Sequence, residues 1–173
     1  MYTALSHTEQ ALTIGKQIND SQVIRTALNN IGLIYLHKEQ HEIALPYFQE
    51  ALALLQQSND IQSIGITFNN ISQVYDARGN YNKALYYLEK SLEISQKLDD
   101  IYSVARNLNN MGAIEFKKND YKKAIPYLMQ AHQILHKINS PDVKAPEIIL
   151  NLIFNRIGES SFEAIVSGLG GGG

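Results

Sequence analysis

The sequence predicts an all-α chain built from antiparallel helical hairpins. Three observations lead there. A residue pattern recurs every 40 positions, each period carries two apolar stripes at helical spacing, and a short polar break separates the stripes.

The recurrence is clearest in the first half of each period. Leu28-Asn29-Asn30-Ile31-Gly32 returns as Phe68-Asn69-Asn70-Ile71-Ser72 and as Leu108-Asn109-Asn110-Met111-Gly112. The second half follows the same register. Ala44-Leu45-Pro46-Tyr47-Phe48 aligns with Ala84-Leu85-Tyr86-Tyr87-Leu88 and Ala124-Ile125-Pro126-Tyr127-Leu128. The joints align too, at Asn59-Asp60, Asp99-Asp100 and Asn139-Ser140. Three full units are therefore expected at 20–59, 60–99 and 100–139.

Each unit divides into a helix A and a helix B. In the first, Ile24, Leu28, Ile31 and Tyr35 fall on one face of a 3.6-residue period. Helix B offers Ala44, Leu45, Phe48, Ala51, Leu52 and Leu55. The breaks are His37-Lys38-Glu39-Gln40, Ala77-Arg78-Gly79-Asn80 and Lys117-Lys118-Asn119-Asp120. Gly, Asn and Asp in such a break suit a helix C-cap followed by an N-cap, and its shortness makes the two helices antiparallel neighbours. Gly32 and Gly112 are expected where helices A and B approach most closely, with Ala44, Ala84 and Ala124 opposite. Tyr35 and Tyr75 read as large fillers. Glu115 takes that slot in the third unit, with Phe116 beside it to compensate. Pro46 and Pro126 lie inside helix B, where proline removes a backbone hydrogen bond, so a kink or a late helix start is expected.

Leu28, Ile31, Gly32 and Tyr35 of helix A, with Ala44, Phe48 and Ala51 of helix B, resemble the tetratricopeptide repeat (TPR) family over residues 20–139. The period is longer than the standard 34-residue unit. The longer form is similar to the repeats of kinesin light chains, bacterial peptide-pheromone receptors and large bacterial signalling proteins. The resemblance implies a right-handed α-solenoid whose helices A line a concave groove. It also implies binding of a protein or an extended peptide there.

The ends depart from the pattern. Residues 1–19 match helix B without its helix A, since Ala11, Leu12 and Ile14 align with Ala51, Leu52 and Leu54. A start within a repeat fits either a fragment of a larger signalling protein or a chain opening on an unpaired helix. Residues 140–169 read as a degenerate helix pair or cap. Ser140-Pro141-Asp142 is a turn signal. Pro146 suits the first position of a helix over 146–157, which is apolar almost all round. Ser160-Ser161-Phe162-Glu163 has a capping-box pattern opening one last helix. Residues 170–173 read as a flexible glycine tail.

Composition narrows the function classes. The 173 residues carry 15 Lys+Arg and 17 Asp+Glu, a formal charge of −2, which gives no electrostatic case for nucleic acid or an anionic membrane. Without cysteine there are no disulfides or thiolate metal sites. The N-terminus does not read as a signal peptide, and no apolar run approaches the roughly 20 residues that span a bilayer. A cytoplasmic chain is the expectation. Asn70-Ile71-Ser72 matches a glycosylation sequon but lies in a helical pattern, so it reads as chance. His132 and His136 are four apart, but no zincin glutamate lies between them, and His132 occupies a packing slot. No catalytic constellation, metal site or cofactor motif stands out, and no enzyme is expected.

The recurring polar feature is the asparagine pair. Its amides can both donate to and accept from the backbone of an extended peptide. The expected partner-binding residues are Asn29, Asn30, Asn69, Asn70, Gln73, Asp76, Arg106, Asn109, Asn110 and Lys117. Asparagines that bridge neighbouring helices are the competing expectation. Self-association is the alternative function. A homodimer would use the unpaired N-terminal helix and the apolar C-terminal helices, with Ile149, Ile153, Phe154, Phe162 and Ile165 on its face.

Overall fold

The computed structural model describes residues 4–170. Among these, helices alternate with tight turns. They are α1 (Ala4–Ile18), α2 (Ser21–His37), α3 (His41–Leu55), α4 (Ile61–Ala77), α5 (Tyr81–Lys97), α6 (Ile101–Lys117), α7 (Tyr121–Lys137), α8 (Lys144–Ile157) and α9 (Glu159–Gly170), with a 3₁₀ turn at Pro141–Val143 before α8. The chain divides into two compact units, residues 1–94 and 95–173. The division falls within α5 and not at a repeat border.

The turns are built by local chemistry. Asn19, Glu39, Gly79, Asp99, Asn119 and Asn139 all have positive φ, which ends one helix and releases the chain into the next. An N-cap follows. Asp20 accepts from the N–H groups of Gln22 and Val23, while Asp60, Asp100 and Asp120 accept from those of Ser63, Ser103 and Lys123. The hydrogen bonds from Ser63 and Ser103 hold the Asp60 and Asp100 carboxyls below their ordinary value, against the opposing effect of desolvation. Pro46 and Pro126 do not delay their helices, which begin at His41 and Tyr121. The withheld bonds concern the carbonyls of Glu42 and Lys122, exposed first-turn residues that water can serve.

In unit 1, α2 and α3 form a hairpin around Leu28, Ile31, Ala44, Phe48 and Ala51, all at 0% exposure except where Ala27 beside them reaches 3%. Ile24, Tyr35 and Leu52 are half-buried. The close approach at Gly32 has a measurable cause: a Cβ there would lie 2.6 Å from the Phe48 ring. Ile71 and Val74 of α4 join the core with Ala44, Leu45 and Phe48. Tyr35 stacks on Tyr47 at 5.7 Å, and Tyr75 stacks on Tyr87 at 5.6 Å.

In unit 2, α6 and α7 pair in the same way. A Cβ on Gly112 would meet Leu128 at 2.6 Å and the Ala124 carbonyl at 3.3 Å. Ala124, Ile125, Leu128 and Ile153 form a core on which Phe116, Ile149, Phe162, Ile165 and Val166 pack. α8 and α9 thus fold onto α7. Pro146 lies two residues inside α8 and is buried. The capping-box expectation is corrected: α9 begins at Glu159, so Ser160 lies within it, and Gly158, with φ 80° and ψ 162°, makes the break. α9 continues through Gly170, and the rest of the glycine tail lies outside the described residues.

The three cations following helix A share one role. Lys38 lies over the Tyr35 ring at 5.8 Å, and Arg78 over the Tyr75 ring at 5.8 Å. Lys118 instead reaches Glu115 at 2.9 Å, close enough for an ion pair though Oε2 has no aligned hydrogen bond. A cation three residues on therefore covers the filler slot whether it holds a ring or a carboxylate. That is how Glu115 is tolerated at 4% exposure. Phe116 turns to α8, where Arg156 lies 5.3 Å over its ring.

Candidate functional site: the helix A faces

In unit 1 the expected site residues of α2 and α4 come together in part. Asn70 donates through Nδ2 to Asn29 Oδ1 at 2.9 Å, so this pair bridges two successive helices A. Asn69 accepts from Gln73 Nε2 at 3.0 Å. Asn69 and Asn70 are 2% and 6% exposed, while Asn30 and Gln73 are exposed. Asp76 is half-buried near the C-terminus of α4. The bridge crosses the register, joining the first asparagine of one pair to the second asparagine of the next. Asn70 is buried where Asn29 is half-buried, and a buried amide needs a partner.

In unit 2, Arg106, Asn109, Asn110 and Lys117 all lie on α6. Arg106, Asn109 and Asn110 are half-buried and Lys117 is exposed. Asn109 Oδ1 and Arg106 Nε are buried without a hydrogen-bond partner among the described residues. Tyr102, one turn before Arg106, donates to Asp142 Oδ2 at 2.6 Å, and this bond with desolvation raises its pKa.

Two clefts open on α2. One, of about 190 Å³, lies between α2 and α4 and includes Arg25, Asn29, Asp60, Ser63, Ile66 and Thr67 in its lining. The other, of about 430 Å³, lies between α1 and α2 and includes Asn30. Gln22 and Thr26 line both. The first cleft is mixed in chemistry. It offers a guanidinium, a capping carboxylate held ionised, amides, hydroxyls and the 40%-exposed Ile66. Such a lining suits a polypeptide better than a uniformly charged ligand.

Sequence reasoning missed Gln22, Arg25, Ser63 and Thr67. The signal was the same 40-residue register extended one turn toward the helix N-termini. It also missed a buried polar position. Ala27, Thr67 and Asn107 stand in register at 3%, 2% and 0% exposure, and Asn107 Nδ2 donates to Ser95 Oγ at 3.3 Å. The His132 and His136 rings stack at 6.2 Å.

The C-terminal residues expected on a self-association face divide. Ile153, at 0% exposure, belongs to the core of unit 2 and is corrected to a packing residue. Ile149, Phe162 and Ile165 are half-buried against that core. Phe154 remains 39% exposed, with Ile148 at 59% and Leu152 at 49% on the same helix. The helix is less enclosed than its composition suggested because α7 and α9 cover only part of its circumference. No helix among the described residues is long and apolar enough to cross a membrane.

No curated protein matches the sequence significantly. Among solved structures, the apo form of RapI superposes with a TM-score of 0.77 at 23% identity, over 96% of this chain and 47% of that one. A Rap protein complexed with competence and sporulation factor gives 0.75 at 15% identity, over 88% and 48%. The nearly identical TPR-like repeats of a putative kinesin light chain from Podosopora anserina give 0.73 at 16% identity, over 95% and 82%. The chain spans about half the length of the Rap structures. At these identities the likeness concerns the fold. The tetratricopeptide repeat family model matches residues 1–57, 23–97 and 63–137, and the chain belongs to that family.

Proposed function

We propose that the chain is a non-catalytic protein-interaction scaffold that holds an extended segment of a partner polypeptide against its helix A faces. The observation that carries this reading is the α2–α4 cleft, where Arg25, Asn29 and Ser63 surround an exposed Ile66. Asn29 spends its oxygen on Asn70, and its amide N–H groups remain for a ligand carbonyl. Arg25 feels the Asp60 carboxylate but makes no hydrogen bond or ion pair among the described residues. Rap proteins share the fold, one of them crystallised with competence and sporulation factor, which supports a peptide ligand. The test is selection of binders from a random peptide library, followed by titration against the Ile66→Arg and Arg25→Glu variants. Both substitutions should weaken the selected peptides at least about tenfold with the helical signal intact. Full affinity in both would overturn the reading.

A second reading, a homodimer, rests on the exposed Ile148, Leu152 and Phe154 of α8. Sedimentation velocity should then show a dimer that Leu152→Glu dissolves. A monomer at high micromolar concentration would exclude it.

A further inference from the structure

The start of a helix B is closed in unit 1 and open in unit 2. In unit 1 the residue that follows α4 reaches back to the start of α3. Arg78 donates to the His41 carbonyl at 3.0 Å and pairs with the Glu42 carboxylate at 2.9 Å. Two periods on, both partners have changed. Lys122 of α7 stands where Glu42 stands, and Gly158 stands where Arg78 stands. Gly158 has no side chain to send back, and a Cβ built on it would meet nothing within 4 Å. A cleft of about 510 Å³ lies here, with the half-buried Tyr121, Ile157 and Ile165 on its apolar wall and the exposed Lys122 and Ser161 at its rim. The repeat register gives this place to an arginine side chain, not to a helix.

The charges around the cleft define what would fit. Asp120 also lines it, but this carboxylate caps α7 and pairs with Lys123 at 3.2 Å. Lys118 pairs with Glu115 at 2.9 Å. Lys122 makes no hydrogen bond or ion pair among the described residues. Arg156 borders the cleft, where its Nη1 donates to the Tyr121 hydroxyl at 3.0 Å and to Asn119 Oδ1 at 3.4 Å. Those acceptors are uncharged, and no carboxylate pairs with Arg156 among the described residues. Glu159 and Glu163 of α9 do not line the cleft. The unit 1 joint sets a carboxylate against a cation, whereas this one leaves two cations without an anion.

We propose that this cleft docks a short acidic segment of a partner polypeptide. A carboxylate of that segment pairs with Lys122, and Arg156 adds to the attraction. The segment thus supplies the anion that Glu42 supplies to Arg78 in unit 1. An adjacent aliphatic side chain covers Tyr121, Ile157 and Ile165. That wall favours a polypeptide over a simple anion, which would leave the apolar surface in water. The docking is independent of the extended-peptide reading, because none of its residues lines the α2–α4 cleft.

The probe is a random-sequence peptide library, panned on the full chain and counter-selected on its Lys122→Glu variant. Glutamate in the first turn of α7 suits the helix dipole, so this variant keeps its fold. The peptides that discriminate should carry Asp or Glu beside Leu, Ile, Val or Met. Converting that acid to its amide should weaken binding to the parent chain about tenfold. Lys122→Glu should weaken the acidic peptides by at least about tenfold, while Lys122→Arg retains them, a contrast that misfolding does not mimic. Ser161→Trp fills the cleft from α9 and should abolish binding with the helical signal intact. Ile66→Arg should leave binding unchanged, which separates this site from the α2–α4 cleft. A library that yields no acidic peptide sensitive to Lys122→Glu would overturn the proposal. So would full affinity in Ser161→Trp. Equal binding of acidic peptides stripped of their aliphatic residue would overturn the choice of occupant in favour of a simple anion.

Discussion

The hairpin α2–α3 of unit 1 and the hairpin α6–α7 of unit 2 share a register but solve one packing problem differently. Both cross at a glycine, Gly32 against Phe48 and Gly112 against Leu128. Beyond the crossing they diverge. The first closes with Tyr35 stacked on Tyr47 under Lys38, and the second with Glu115 paired to Lys118 while Phe116 turns toward α8. The difference teaches that the repeat specifies the crossing point tightly and the filler slot loosely. A Cβ at the crossing point would meet the Phe48 ring in the first hairpin, and the Leu128 side chain and Ala124 carbonyl in the second. The filler slot needs only a side chain that the following cation can cover.

The largest test of this contrast is at the crossing. Phe48→Ala should cost about 3–5 kcal/mol, read from urea unfolding by circular dichroism. Gly32→Ala should also destabilise, despite the gain in helix propensity, because its Cβ meets the ring at 2.6 Å. In a double-mutant cycle, Phe48→Leu should relieve part of the Gly32→Ala cost, and strict additivity would mean that the ring does not set the approach.

The next test is at the filler slot. Lys118→Met removes the partner of a carboxylate that is 4% exposed, so a loss of about 1–3 kcal/mol is expected. Lys38→Met removes only a cation over a ring and should cost less than about 1 kcal/mol. Glu115→Tyr in the Lys118→Met background should recover stability. Equal losses at Lys38 and Lys118 would show that the slot contents do not matter.

The smallest effect concerns the asparagines. Asn70→Ala breaks the bridge to Asn29 and should cost about 1–2 kcal/mol. Asn110→Ala, at a half-buried amide with no hydrogen bond among the described residues, should cost less than about 0.5 kcal/mol. Melting temperatures of the two variants make the comparison directly. A larger loss for Asn110 would place a structural bridge in unit 2 as well.

The family, the helix count in each repeat and the crossing glycines were legible in the sequence. Periodic apolar positions and small residues report the local geometry of one hairpin, and that geometry repeats. The clefts were less legible. Asn29 and Asn30 are adjacent in sequence but lie in different clefts, because a step of 100° around α2 separates them. The alternatives of ligand ladder and helix bridge were both visible, but the Asn29–Asn70 bond depends on how closely α2 and α4 approach.

By itself, then, the sequence determined that helices form and, for α2–α7, where they turn and which stripe of each is buried. Those outcomes follow from caps, positive-φ residues and spacing within about 20 positions of chain. Only the tertiary structure decided which asparagines are satisfied and that Ile153 is core. It likewise decided that Glu115 has a partner and that Asn29 and Asn30 line different clefts. Each of these depends on distances between helices, which the burial of many side chains sets together and no single motif encodes.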